Sequence, residues 1–264
     1  MKQIIKFQLF FFLIISLVLP LACMKLNNTE ENNICSGKTL DWLRQHVPIP
    51  PSTIESQKPL AGGLCEIILK TGPQYIPVYV NDEMVLAGEM FKDKIQVTEN
   101  TINQLKAKTI QHNRETLDKA TAFTYAPAGA GEDSPTVYMI TDPLCPYCSR
   151  AAQNIQGLMD KHRAVLKTIL YTVHGETGEE KNKDAICQGM DLSTYVATDW
   201  KSESTEPKAC DRYTELHKNT KEMINTIGIQ GVPVFILEDG RMVKGANLQK
   251  LEDYLTHPMK VAKR

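Results

Sequence analysis

The 264-residue sequence has no surplus of positive charge and no basic run. Lys and Arg number 30 against 31 Asp and Glu, which gives a formal net charge of −1, and no stretch holds five consecutive basic residues. Such spread charges are typical of an ordinary solvated surface. They give no electrostatic basis for binding nucleic acid, and we expect none among the partners.

Signatures of metal, haem and nucleotide binding are missing as well. A structural zinc site commonly takes two CxxC knuckles, or one with a His pair. This chain has one CxxC, Cys145 and Cys148, and no His pair at metal spacing. Haem attachment needs His after the second Cys, where Ser149 stands, and "APAGAGEDSP" lacks the ending of a phosphate-binding loop. We expect no metal and no cofactor; a geometrically tight structural disulfide across the CxxC remains an alternative.

The first 22 residues have the pattern of an export signal. Lys2 and Lys6 precede the apolar run "FQLFFFLIISLVL", which has secretory length and is short for a membrane span. The order Leu-Ala-Cys that follows resembles a bacterial lipobox, although a lipobox usually has Leu where Pro20 stands. Cys23 is therefore a candidate lipidation site, with soluble release or an uncleaved anchor as the alternatives.

Export changes how the seven cysteines are interpreted. Outside the cytosol thiols pair, and setting Cys23 aside leaves six, an even number. Counting alone does not fix which cysteines pair.

The first half of the chain predicts a tether, a small module and a connecting helix. Residues 23–36 are polar and form the tether. In the module, residues 37–97, "KTLDWLRQHV" predicts a helix that "VPIPPS" ends, and "GLCEIILKTG", "PQYIPVYVND" and "EMVLAGEMF" predict three strands. A module this small is expected to pair with a copy of itself or to carry a disulfide. Residues 98–119, whose apolar stripe of Ile102, Leu105 and Leu117 is sparse, predict a solvent-exposed linker helix.

Residues 120–264 predict a second, mixed α/β domain. The strand "TVYMI" leads directly into the CxxC and a helix, and the strand "TILYTV" follows. A helical region over about 179–227, a hairpin turning at 238–240 and a final helix complete the domain. This order of strand, helix, strand, helical insertion, hairpin and helix is that of the thioredoxin fold. The residues predicted to face inward from the two helices are Cys148, Ala152, Ile155, Met159, Leu248, Leu251 and Leu255.

The position of the CxxC predicts redox chemistry. Cys145 lies where a strand ends and a helix begins, and the free N–H groups and dipole of a helix N-terminus stabilise a thiolate. Pro146 suits the first helical position, and Cys148 falls one turn in, facing inward. Cys145 is therefore the predicted nucleophile and Cys148 the resolving thiol. The Pro146-Tyr147 dipeptide tunes the redox balance, and Tyr147 is either a substrate contact or a surface aromatic.

A second element, Val232-Pro233, opens the predicted hairpin. A proline that opens a sheet strand needs a reason, and a plain edge-strand proline is the alternative to a functional one. From physical preference alone the Val232-Pro233 peptide bond would be trans.

Over roughly residues 37–258, the chain resembles the periplasmic thiol:disulfide interchange proteins of the DsbC/DsbG family. The resemblance is carried by "AGGLCEIILKTG", "YIPVYVND", "VLAGEMF", the polar helix and "TDPLCPYC". It implies an α+β / α/β protein with a cystatin-like dimerisation module, a linker helix and a thioredoxin-fold catalytic domain with a helical insertion. It also implies a cis bond before Pro233, beside the CxxC in the substrate groove, and a structural disulfide Cys187–Cys210.

Three positions depart from the family or its relatives. Val232 stands where the family usually has Thr, as in DsbA-type oxidases, and is expected to shift the redox balance. Cys35 and Cys65 are additional; we expect a disulfide between them worth roughly 2–4 kcal/mol, the alternative being a free thiol or a bond between protomers. Met139 stands where thioredoxin and DsbA-type relatives have a buried acid, so no carboxylate relay is expected there. His174, after the second strand, is given no role.

The predicted function is that of an exported, periplasmic disulfide isomerase or reductase. As the resemblance implies, it would act as a homodimer on misoxidised or unfolded exported proteins, and a membrane reductase of the DsbD type would keep its dithiol reduced. Val232 and the Cys-Pro-Tyr-Cys sequence favour the alternative of a dithiol oxidase. A holdase chaperone is the non-enzyme alternative.

Overall fold

The computed structural model describes residues 34–202 and 210–259. The predicted export signal, most of the predicted tether and Cys23 lie outside these residues. Within them, no helix is long and apolar enough to cross a membrane.

The N-terminal part is one helix packed on an antiparallel sheet. The helix buries Leu43 against Ile67, Leu69, Val78 and Val80 of the sheet. The strand order is β1-β2-β3-β4, and a small β5–β6 hairpin follows. The cystatin-like character of this module and its role in dimerisation stay predictions. The elements are α1 (Leu40–His46), β1 (Thr53–Leu60), β2 (Leu64–Thr71), β3 (Gln74–Val80), β4 (Val85–Ala87), β5 (Phe91–Lys92) and β6 (Ile95–Gln96).

Strand β1 was not predicted from the sequence, because "TIESQKPL" is mostly polar. Its residues alternate between exposed and half-buried positions, so it contributes little to the core. It joins the sheet through backbone pairing with β2, with Thr53 opposite Lys70 and Leu60 opposite Leu64.

A disulfide joins Cys35 to Cys65 and ties the segment before α1 to β2. Both cysteines are buried in the core of this small module. Replacing both with serine is expected to lower the free energy of unfolding by roughly 2–4 kcal/mol, because the cross-link restricts the unfolded chain. Urea unfolding of this variant and of a Cys145→Ser/Cys148→Ser control would check it. A loss no greater than that of the control would contradict the prediction.

The predicted linker helix is two helices, α2 (Val97–His112) and α3 (Arg114–Lys119), which meet at Asn113. The prediction of a solvent-exposed connector was wrong for one face of these helices. Ile110 and Leu117 are buried with Met223 and Ile224 of the catalytic part. Ile110 and Leu117 together form the buried face of these helices. The predicted apolar stripe included Leu117 but not Ile110.

The C-terminal part is a five-stranded sheet with helices on both faces, in the order β11-β10-β8-β9-β7. Strands β8 and β9 are parallel and the other pairs antiparallel. Central strand β8 is wholly buried and its side chains alternate between the faces: Val137 and Met139 join one core cluster, Tyr138 and Ile140 the other. The elements are β7 (Phe123–Tyr125), β8 (Thr136–Thr141), α4 (Pro146–His162), β9 (Val165–Leu170), α5 (Gly175–Cys187), α6 (Leu192–Ala197), α7 (Asp211–Ile227), β10 (Val234–Leu237), β11 (Met242–Lys244) and α8 (Leu248–Thr256).

The details differ from the sequence prediction at three places. Short strand β7 was not predicted. Strand β9 begins at Val165, three residues before the predicted start, and ends at Leu170, so that residues 171–173 form a turn beside the CxxC. The helical region predicted over about 179–227 is three helices, most of α5 and all of α6 and α7, and a disulfide joins Cys187 at the end of α5 to Cys210 at the start of α7.

Candidate active site

The CxxC lies at the junction of β8 and α4. Cys145 is the N-cap of α4 with an extended backbone, and Pro146 opens the helix, a position where its missing N–H leaves no bond unmade. The Cys145 carbonyl accepts from the Ser149 N–H at 3.0 Å, which starts the helical pattern. The Cys145 residue is 7% exposed and Cys148 is 0% exposed, whereas Tyr147 between them is 59% exposed. A substrate sulfur can therefore reach Cys145 but not Cys148.

Cys148 is held as a protonated thiol. Burial raises the pKa of the Cys148 thiol, and its hydrogen bond with Cys145 raises that pKa further. The Asp142 backbone N–H opposes the shift without cancelling it. Cys148 must therefore lose its proton before it can attack a sulfur, which makes it the second thiol to react.

The Val232-Pro233 segment faces Cys145. The peptide bond between these two residues is cis, and the Cys145 thiol donates to the Val232 carbonyl at 3.9 Å. The following residue, Val234, pairs with Ile140 of β8, which fixes the segment against the strand that carries the CxxC. The Gly245 N–H donates to the Pro233 carbonyl at 2.8 Å.

A buried carboxylate that the sequence did not single out lies beneath the CxxC loop. Asp142 is completely buried and accepts four hydrogen bonds. One comes from the Leu144 N–H at 2.9 Å, within the loop that precedes Cys145. The other three come from the turn after β9: the Thr172 hydroxyl at 2.8 Å, the Val173 N–H at 2.8 Å and His174 Nδ1 at 2.7 Å. Asp142 thus joins the CxxC loop to the neighbouring strand's end.

His174, which was given no role from the sequence, belongs to this arrangement. Its ring pairs with Asp142, and its side chain is 40% exposed. The signal was available: β8 and β9 are parallel, so residues that follow them meet at the same sheet edge. Met139 is a core residue, and the buried acid of this site is Asp142, three residues further along the chain.

Two buried hydroxyls complete the back of the site. Thr141 and Tyr195 are both buried, and neither hydroxyl has a hydrogen-bond partner within the described residues. Burial raises the pKa of the Tyr195 hydroxyl. Tyr195 was not predicted as a site residue, because a single aromatic in a helical insertion is typical of any core position. In the described part of the chain, no three His, Cys, Asp or Glu residues cluster in a way that could hold a metal ion.

Comparisons with known proteins agree with this arrangement at the level of the domain. Residues 128–257, just under half of the chain, match the model of the thioredoxin-like domain family. No curated protein matches the chain.

Three solved structures illustrate what the chain is similar to. A linker-deletion variant of Proteus mirabilis ScsC is 18% identical, with 61% of this chain and 85% of that one covered and a TM-score of 0.48. The thiol-disulfide exchange protein α-DsbA2 from Wolbachia pipientis is 15% identical, with 59% and 98% covered and a TM-score of 0.45. Helicobacter pylori DsbG is 18% identical, with 70% and 93% covered and a TM-score of 0.37.

The assignment rests on the domain family and on the geometry of the dithiol. The predicted thioredoxin fold of the second domain is confirmed at this level. Residues 128–257 form a thioredoxin-like domain, and this domain carries the free thiols of Cys145 and Cys148.

Proposed function

We propose that the protein is a disulfide isomerase and reductase that acts on misoxidised or unfolded exported proteins, with Cys145 as nucleophile and Cys148 as resolving thiol. The observation that carries this proposal is the difference between the surroundings of Cys145 and those of Cys148. Cys145 lies at the start of α4 beside the Val232 carbonyl, whereas Cys148 is fully buried and protonated behind it. Pro146 and Tyr147, between the two thiols, are proposed to tune their balance.

In the reductase cycle, the Cys145 thiolate attacks one sulfur of a substrate disulfide. The substrate S–S bond breaks, a mixed disulfide forms, and the other substrate sulfur leaves as a thiolate that takes up a proton. Cys148 then loses its proton, attacks the Cys145 sulfur and releases the second substrate thiol. The substrate gains two electrons and two protons, and the Cys145–Cys148 pair becomes a disulfide.

In the isomerase cycle, another substrate thiolate attacks the mixed disulfide first. A new substrate disulfide forms, the Cys145 thiolate is restored, and no net electrons move. A protonated resolving thiol favours this route because it prolongs the life of the mixed disulfide. After a reductase cycle, two electrons and two protons must come from a dithiol donor, for which the family resemblance suggests a membrane reductase of the DsbD type.

The Val232 side chain supports a second candidate, a dithiol oxidase that donates disulfides. Val232 contributes the carbonyl that faces Cys145, and DsbA-type oxidases carry Val at this position. The two directions are separated by the redox state of the pair in cells, measured by alkylating free thiols in rapidly acidified samples. A reduced resting pair supports the isomerase and reductase; an oxidised resting pair overturns it in favour of the oxidase.

The N-terminal part presents a surface that supports the proposed homodimer. Strand β4 is at the edge of its sheet, and an unpaired edge is a template for pairing with another chain. Exposed apolar side chains cluster in sequence along β4 and the β5–β6 hairpin, with exposures of 46–62%. We call this set the edge patch, and it consists of Met84, Leu86, Phe91 and Ile95. A second copy of the chain, with the same edge, is its proposed occupant.

Replacing Leu86 and Phe91 with aspartate is expected to halve the mass measured by multi-angle light scattering, because charges in a packed interface are strongly disfavoured. The change lies on exposed positions, so the free energy of unfolding of the monomer should change little. An exposed non-patch control, Lys92→Asp, should leave the mass unchanged. A wild-type protein that is monomeric would contradict the dimer; an unchanged mass in the double variant would contradict the edge patch as its interface.

Export to the periplasm is part of the proposal, and lipidation of Cys23 would anchor the protein there. Metabolic labelling with a radioactive fatty acid separates the cases. Label on the wild-type chain that disappears in Cys23→Ala supports the anchor. Release of unlabelled protein supports soluble export.

A further inference from the structure

A cleft of about 320 Å³ opens beside the Val232-Pro233 segment. Residues 228–234 form one wall, and Met242 and Lys244 of β11 together with Lys106 of α2 form the others. Lys244 lies opposite Val234 in the β10–β11 pair. Val234 is two residues after Val232, whose carbonyl faces Cys145. Val232, whose carbonyl faces Cys145, and the two lysines therefore line the same cleft.

The docking of α2 on the β10–β11 hairpin sets the position of Lys106. Gln111 donates to the Asp239 carbonyl at 2.6 Å, and Arg114 forms an ion pair with Glu238 at 2.5 Å. The backbone of Ala107 lies so close to Gly240 that no side chain fits at position 240. Lys106, adjacent to Ala107, is thus held on a helix fixed at several points.

Neither of the two lysines is paired with a carboxylate within the described residues. Neither takes part in an ion pair or a side-chain hydrogen bond there, although Lys106 is half-buried. Burial lowers the pKa of Lys106, and the charge of Lys244 lowers it further. Glu89 and Glu99 line an adjoining cavity that both lysines also reach, yet neither carboxylate pairs with them. Two ammonium groups at one cleft favour an anion between them.

We propose that this cleft selects substrate segments that carry a carboxylate side chain near the cysteine under attack, with the carboxylate between Lys106 and Lys244. The inference rests on the proposed function, since it describes how Cys145 chooses its substrates. Val232, which faces Cys145, and Val234, which lies opposite Lys244, are two residues apart, so in an extended substrate the acidic residue is expected about two positions from the cysteine. Both lysines are specificity-determining residues and take no part in bond making.

A pair of matched peptides tests this proposal. Each holds one cysteine as a mixed disulfide with thiopyridine, an uncharged and coloured leaving group, and the two differ only by Glu or Gln two residues from the cysteine. Attack by Cys145 of the full-length protein releases the chromophore, which stopped-flow absorbance follows. At low salt the Glu peptide is expected to react roughly tenfold faster, and 0.5 M salt should reduce this advantage.

Three variants assign the effect to the lysines. Lys106→Gln/Lys244→Gln should react with both peptides at the rate of the Gln peptide. Lys108→Gln, an exposed lysine on the same helix, is the control and should keep the preference. Lys244→Glu should prefer a peptide with Lys in place of Glu. Equal rates for the Glu and Gln peptides with the wild type would overturn this inference and leave the proposed function intact, whereas no reaction with either peptide would overturn the proposed function itself.

Discussion

Replacing Cys145 with alanine is expected to lower the rate of thiol-disulfide exchange by more than about 10³-fold, because removing the nucleophile of a catalytic unit removes nearly all of its rate enhancement. Cys148 cannot take over the attack, since it is 0% exposed and burial raises the pKa of its thiol. The reduction of insulin by the protein, with a dithiol as electron source, measures this loss.

Replacing Cys148 with alanine should have a different result. The Cys145 attack remains, but no resolving thiol follows it, so substrates are expected to stay disulfide-linked to Cys145 and to appear as higher-mass bands on non-reducing gels. The double variant Cys145→Ala/Cys148→Ala is the control and should trap nothing. If the Cys148→Ala protein trapped no more than the double variant, the assigned order of the two thiols would be wrong.

Replacing Asp142 with alanine is expected to give the largest loss of stability among the substitutions considered. Four donors converge on this buried carboxylate, and removing it leaves the Leu144 and Val173 N–H groups without their acceptor. Each buried donor left without an acceptor typically costs about 1–3 kcal/mol, so the free energy of unfolding measured in urea should fall by roughly 2–6 kcal/mol for the two N–H groups.

Two matched variants separate the carboxylate from its partner. His174→Gln should cost about 1 kcal/mol or less, because this ring is partly exposed and exposed pairs contribute little. Asp142→Asn keeps the side-chain volume and one acceptor oxygen. Its loss of free energy of unfolding should lie between those of Asp142→Ala and His174→Gln. The same loop positions Cys145, so Asp142→Ala should also slow attack on the thiopyridine peptides. A loss of less than 1 kcal/mol for Asp142→Ala would contradict the role assigned to the carboxylate.

The catalytic core could be predicted because its signals are local. The face of α4, with Cys148, Ile155 and Met159 buried, follows directly from helical spacing. The place of Cys145 at a helix start follows from the strand before it and Pro146 after it. The hairpin that opens at Pro233 was visible in its turn residues.

The other features depend on contacts between elements that are distant in the sequence. The residue pattern of a single element does not predict such contacts. Strand β1 is held by backbone pairing with β2 and not by buried side chains. Its sequence therefore lacks the alternation of apolar and polar residues that predicts a strand. Helix α2 buries Ile110 because α7 and the β10–β11 hairpin, both distant in the sequence, lie against it. Asp142 and His174 are 32 residues apart, and their pairing follows from the parallel register of β8 and β9.

Reactivation of scrambled ribonuclease by the purified protein tests the central claim most directly. The proposal predicts that the reduced wild-type protein restores ribonuclease activity without net consumption of a reductant, that Cys145→Ala restores none, and that Cys148→Ala retains part of the activity, since rearrangement requires only the first thiol. A wild-type protein that oxidises reduced ribonuclease but leaves the scrambled form inactive would contradict the proposal and identify the oxidase.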